Sequence, residues 1–246
     1  MAQRRHDQLR PIVIHRNYLT AAPGSVLIEM GRTRVLCTAS LARESPPWLV
    51  NPGTGQATKG WVTAEYAMLP GSTPDRKRRG TDSRASEIQR LIGRSLRAAV
   101  ALEKMPGLTV TCDCDVLYAD GGTRTAAISG AYVAMADALG HAVRSGLVPR
   151  SPLIGPIAAV SVGLLEGRPV LDLDYELDVK AQVDLNVVMN HRGQFVEIQG
   201  TAEHQPFARK QLQAMLDLAA KGIGQIVRQQ RKVLATKISA KARFKA

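Results

Sequence analysis

No apolar run in this chain approaches the ~18 residues a membrane-spanning helix needs, and the opening MAQRRHDQLRPIVIH lacks the apolar centre of a secretion signal. Both absences predict a cytoplasmic protein with no membrane partner. Cysteine is scarce: Cys37, Cys112 and Cys114 are the only three, and each falls in a stretch that reads as a strand. With no second metal-type pair, they exclude a disulfide scaffold or zinc ribbon and predict buried, reduced thiols. Acidic charge is also short. Against 33 Lys and Arg stand 21 Asp and Glu, which leaves a net charge of +12 and a pI near 10.1. Such a surface suits a polyanion, and nucleic acid fits better than membrane because no strongly amphipathic, lysine-rich helix is present.

What is there suffices for a core: 246 residues, of which 45% are apolar. Residues 24–40, GSVLIEMGRTRVLCTAS, alternate as two strands around a turn at Gly31. Residues 43–60 are a Pro- and Gly-rich loop bearing Trp48, and 60–69 is a further strand. A basic loop with Arg76, Lys77, Arg78 and Arg79 follows. The clearest helix is 86–103, where Ile88, Leu91, Ile92, Leu96, Ala99 and Val100 form a 3.6-period stripe and Ser86 with Gln89 suggest a capping box. Arg90, Arg94 and Arg97 lie on another face and read as a solvated stripe. A helix of small residues is predicted over 125–145, strands over 157–165, 169–189 and 194–201, and a long helix over 206–234. The hairpin-like segments share an offset: Ser25-Val26 to Gly31-Arg32 repeats as Ser161-Val162 to Gly167-Arg168, consistent with two similar α+β halves. The expected organisation is one domain over 1–234 and a basic, flexible tail over 235–246.

Two constellations carry chemistry. In DCDVLYADGGTRTAAISGA, a strand enters a Gly121-Gly122 turn and then a helix whose first turn holds Thr123, Arg124 and Thr125. An arginine is disfavoured at the positive end of a helix unless an anion sits between them. Glycines permitting close approach, free helix N–H groups, a hydroxyl and a guanidinium together make a phosphate cradle. The second constellation is VLDLDYELDVKAQVDLNVVM, 170–189, in which Asp172, Asp174, Glu176, Asp178 and Asp184 share one parity. On an extended strand, bending near 178–181, these carboxylates point one way and call for a cation. Mg²⁺, which takes few carboxylates plus waters and substrate oxygens, suits Asp178 with Asp184. Bound phosphate beside a carboxylate-held metal points to phosphoryl transfer with phosphate as nucleophile.

At this point the chain resembles the ribonuclease PH family of phosphate-dependent 3′-to-5′ exoribonucleases. The resemblance runs from DQLRP to about residue 230 through GWVTAEYAMLPGST, EIQRLIGRSLRA, DCDVLYADGGTRTAAISGAYVA, DLDYELDVKAQVDLNVVM and EIQGTAE. It implies an α+β fold of two βαβα-type halves packed in one domain, and a homohexamer built as a trimer of dimers. The implied reaction is RNA(n+1) plus inorganic phosphate giving RNA(n) plus a nucleoside 5′-diphosphate, on transfer-RNA 3′ ends. It further implies phosphate binding by Arg84, Gly122, Thr123 and Arg124, catalysis and Mg²⁺ binding by Asp178 and Asp184, and RNA binding by Arg76, Arg78 and Arg79. The family usually has Gly-Arg-Thr where this chain has Ser83-Arg84-Ala85, the loop at 43–60 is longer than usual and the basic loop shorter. The alternative reading is a non-catalytic RNA-binding ring subunit of the exosome-like superfamily; it predicts loss of the arginine and aspartate pairs, and all four are present.

Overall fold

The structure is a computed structural model that describes residues 4–80, 83–203 and 205–236. Of the expected basic tail over 235–246, residues 237–246 lie outside the described residues.

The first half begins with β1 (Ile12–Arg16), β2 (Gly24–Met30), β3 (Thr33–Ala42) and β4 (Trp61–Met68), followed by α1 (Ser83–Arg97), β5 (Thr109–Tyr118) and α2 (Thr123–Arg144). Its five strands form a sheet in the order β1-β2-β3-β5-β4. Only β4 and β5 pair in parallel, and α1 supplies the crossover that parallel neighbours require. The second half contains β6 (Ile157–Leu165), β7 (Arg168–Leu171), α3 (Tyr175–Lys180), β8 (Val183–Asn190), β9 (Phe195–Ala202) and α4 (Arg209–Ala235). Its sheet runs β7-β6-β8-β9, wholly antiparallel. The architecture is the expected α+β.

The repeated offset marks two real hairpins. β2–β3 turns at Gly31, φ +60°, and β6–β7 turns at Gly167, φ +77°, both in the left-handed region that glycine adopts without strain. The two serines also match: Ser25 Oγ accepts the Leu19 N–H and Ser161 Oγ the Leu173 N–H. Beyond the turns the halves diverge, since β3 is interior to its sheet and β7 is an edge.

α2 lies between the sheets, and its small residues are what allow this. A Cβ on Gly130 would stand 2.7 Å from Ile28 Cγ2 and 2.9 Å from Cys37 Sγ, on the first sheet. The adjacent Ser129 accepts the Ala159 N–H on the second sheet. α2 is long and apolar enough to cross a membrane by length and composition, but 78% of its apolar window is buried inside the protein. α4 covers the second sheet, and its buried Gln230 donates to the Ser129 and Ile157 carbonyls. The three cysteines are buried and free, as expected.

Three expectations are corrected. α1 starts at Ser83 and stops at Arg97, so Ser86 is internal and no capping box forms; the Gln89 amide donates to Glu65 instead. The strand expected over 169–189 is three elements: a strand ending at Leu171, the helix α3, and β8. Extension ends at Asp172, which is fully buried at φ +57°. Asp174 then caps α3 by accepting the Leu177 N–H at 3.0 Å. The arginine stripe is only partly solvated: Arg94 forms a two-bond pair with Glu197, and Arg97 stacks on Trp61.

Candidate active site

The β5–α2 turn is a strand end, two left-handed glycines and a helix start. Gly121 has φ +71° and Gly122, the N-cap of α2, φ +66°. A Cβ on Gly121 would lie 2.5 Å from the Leu173 carbonyl oxygen and 2.7 Å from the Asp174 carbonyl carbon. Only glycine therefore lets the turn press against the start of the acidic segment. No side chain caps α2, so its first N–H groups remain available to an anion.

Ion pairs, most of their groups buried, hold the turn. Arg32 clasps the Asp120 carboxylate at 3.0 and 3.2 Å, and Thr33 Oγ1 donates to the Gly121 carbonyl at 2.7 Å while accepting the Asp120 N–H. Arg10 donates to the Asp120 and Gly121 carbonyls. Arg10 is itself held by Asp172, which accepts its backbone N–H at 2.8 Å, Nε at 3.0 Å and an Nη at 2.7 Å. Asp172 thus serves architecture: it staples the acidic segment to the cradle, and does not join a carboxylate face.

Above the turn, Thr123 Oγ1 accepts a hydrogen bond from the buried Tyr66 hydroxyl at 2.9 Å. Arg124 reaches across to β9, donating to Gln199 Oε1 at 3.2 Å, and lies 3.6 Å from Glu87 on α1. Arg84 sits inside the first turn of α1, exposed. The charges of Arg84 and Arg124 act on both the Tyr66 hydroxyl and the Asp178 carboxyl, so these four groups share one neighbourhood.

Asp178 on α3 and Asp184 on β8 converge, although on different elements from those expected. Burial raises the Asp178 carboxyl above its ordinary value, opposed by Arg84 and Arg124. Asp184 is pushed up to about 6, first by burial and then by the Asp178 charge, with Arg124 opposing. Its Oδ2 accepts from the Asn186 amide at 3.3 Å, while its buried Oδ1 has no hydrogen-bond partner. A buried carboxylate oxygen without a donor, beside a second carboxylate, fits a hard cation. Among the described residues no cluster of three or more His, Cys, Asp or Glu forms, so the donor set matches an ion that keeps waters and substrate oxygens, as Mg²⁺ does.

Arg76, Arg78 and Arg79 are exposed on the loop between β4 and α1. The loop leaves from beside the cradle, where the Ser72 carbonyl accepts the Ala119 N–H at 2.8 Å. Glu176 stays at the surface. Sequence reasoning missed Tyr66, Gln199, Glu87 and the Arg10–Asp172 pair. Arg10 and Gln199 stood inside quoted blocks, DQLRP and EIQGTAE, but nothing local marked their partners.

An anion cradle facing a paired-carboxylate site defines a phosphoryl-transfer class of protein on this fold. The comparisons narrow the class. Residues 8–139 match the 3′ exoribonuclease family, domain 1, and residues 155–222 its domain 2. The chain is 54% identical over 236 residues to ribonuclease PH of Corynebacterium efficiens, covering 94% of each, and 50% identical to that of Corynebacterium kroppenstedtii, covering 93% of this chain and 90% of the relative. An Archaeoglobus fulgidus exosome structure with RNA bound to the active site superposes with a TM-score of 0.78 at 20% identity, over 94% of this chain and 91% of that one, a likeness of fold. The chain belongs to the ribonuclease PH family of 3′ exoribonucleases.

Proposed function

We infer that the chain is a phosphorolytic 3′-to-5′ exoribonuclease, hence a nucleotidyltransferase, releasing the terminal nucleotide of an RNA as a nucleoside 5′-diphosphate. The observation that carries the mechanism is the anion cradle of Gly122, Thr123 and Arg124 facing the half-buried Asp178–Asp184 pair. Inorganic phosphate is held by the free N–H groups of α2, the Thr123 hydroxyl, Arg124 and, from α1, Arg84. Tyr66 donates to Thr123 Oγ1, which leaves the threonine's own proton free to point at the phosphate. A phosphate oxygen attacks the phosphorus of the last phosphodiester, a P–O bond forms, and the bond to the 3′ oxygen of the preceding nucleotide breaks. The electron pair stays on that oxygen, which takes up a proton. Asp184, with its raised affinity for a proton, is placed to supply it. Mg²⁺, which Asp178 and the oxygen of Asp184 that does not carry the proton would hold, would neutralise charge on the phosphoryl oxygens.

The preferred substrate is proposed to be the 3′ end of transfer-RNA precursors, guided by Arg76, Arg78 and Arg79. The active form is proposed to be a cytoplasmic homohexamer, a trimer of dimers. The non-catalytic ring-subunit reading would leave the unpartnered Asp184 oxygen and the cradle without a role. The test is incubation of the purified protein with a 3′-extended RNA, Mg²⁺ and phosphate. Nucleoside diphosphates released only when phosphate is present support the reading; monophosphates released without it overturn the mechanism.

A further inference from the structure

A second cleft, of about 680 Å³, lies along the outer edge of β4, away from the Asp178–Asp184 pair. β4 is an edge strand, and this edge is overhung by α1 and by the 43–60 loop. Trp48, on that loop, is 70% exposed and meets Trp61 edge to face with ring centroids 6.1 Å apart. The Arg97 guanidinium sits 4.5 Å over the Trp61 ring and also donates to the Val62 carbonyl, which fixes it in place. Arg90 and Arg94 line the same cleft, and Glu65 is its one acidic residue.

One flank of α1 runs from the cleft to the residues beside the cradle. Glu87, Arg90, Arg94 and Arg97 recur at i, i+3, i+7 and i+10, so they follow one flank of α1. At one end Glu87 touches Arg124 and Gln199; further along, Arg94 pairs with Glu197. Gln199 and Glu197 are two apart on β9 and face the same way. From Glu87, beside Arg124, to Arg97, over Trp61, the helix rises about 15 Å.

We propose that this cleft is a base-stacking subsite for single-stranded RNA, holding a nucleotide a few positions upstream of the 3′ end seated at the cradle. The proposal rests on the exoribonuclease reading. An exposed indole accepts the face of any base, and neighbouring arginines track the phosphates, so the subsite is tolerant of sequence. A second copy of the chain is the weaker occupant: three arginines against one glutamate line the cleft, and a copy brings a further net charge of +12.

The experiment compares the unsubstituted protein with Trp48→Ala, using oligoadenylates of twelve and three nucleotides. The chain has two tryptophans, so intrinsic fluorescence reports on the cleft. The 12-mer is expected to quench that fluorescence. Trp48→Ala is expected to weaken 12-mer binding about tenfold, the loss of one stacked base, while phosphorolysis of the 3-mer is unchanged. Equal 12-mer affinity in the two proteins overturns the proposal. Weaker binding together with a lower mass by light scattering overturns it as well, and assigns the surface to a second copy. If the unsubstituted protein trims no RNA, the functional reading falls, and 12-mer quenching with its loss in Trp48→Ala still decides whether the cleft binds RNA.

Discussion

Asp172 and Asp184 stand twelve positions apart in one acidic block, both mostly or wholly buried, and they do opposite jobs. Asp172 accepts three hydrogen bonds from Arg10 and shapes the chain around itself, taking a left-handed backbone to do so. Asp184 accepts one weak bond from Asn186, keeps an oxygen without a partner, and holds its proton up to about pH 6. A buried carboxylate with its charge matched is architecture. One left unmatched next to a second carboxylate carries a standing cost that only a ligand or a proton relieves.

The comparison breaks most severely at Asp172. Asp172→Asn leaves the buried Arg10 guanidinium with only the Asp120 carboxylate, 3.9 Å away, and is expected to lower stability by up to about 3–5 kcal/mol, read by chemical denaturation. A loss below about 1 kcal/mol would mean the pair is not what holds the cradle. Asp184→Asn is expected to behave inversely: turnover nearly abolished, folding stability raised. A carboxyl whose native pKa is lifted from 3.8 to about 6 withdraws stability as pH rises through that window, and the full penalty stands above it. The gain in Asp184→Asn should thus reach at most about 3 kcal/mol above pH 6 and vanish below about pH 4 in the absence of divalent metal. A pH-independent gain would remove the assignment. For the same reason Mg²⁺ binding should weaken as pH falls through 6, measured by calorimetry.

Arg124→Ala removes one charge-assisted clamp and is expected to cost about 1.5–3 kcal/mol in phosphate use, with RNA binding much less affected. Equal losses for phosphate and RNA would count against the cradle. The smallest effect is expected from Tyr66→Phe, about 1 kcal/mol. It should appear as a raised KM for phosphate with RNA affinity intact, because the Thr123 hydroxyl then has no donor directing its proton.

The cradle was legible because its reasons are local. A strand, two glycines and a helix of Ala, Ser and Gly specify their own conformations, and an arginine at a helix start calls for an anion wherever it occurs. The hairpins at Gly31 and Gly167 were legible on the same terms. The acidic block was not. Alternation of apolar and acidic residues through Tyr175–Lys180 fits a strand, yet six residues also make a short helix once Asp174 caps it. What selects the helix is Arg10, 162 residues away in sequence, drawing Asp172 inward. Arg94 and Arg97 misled for the same reason, since their partners Glu197 and Trp61 come from other elements.

By itself the sequence determined the family, the α+β class and the conformation of the two-glycine turn into α2, because these follow from residue chemistry and short-range geometry. Only the tertiary structure decided which buried charges are matched. It paired Asp172 with Arg10, left an Asp184 oxygen bare, set Tyr66 on Thr123, and laid the α1 arginines from the cradle to Trp61. Whether a buried charge finds a counter-charge depends on residues distant in sequence meeting in space, and no local pattern encodes that meeting.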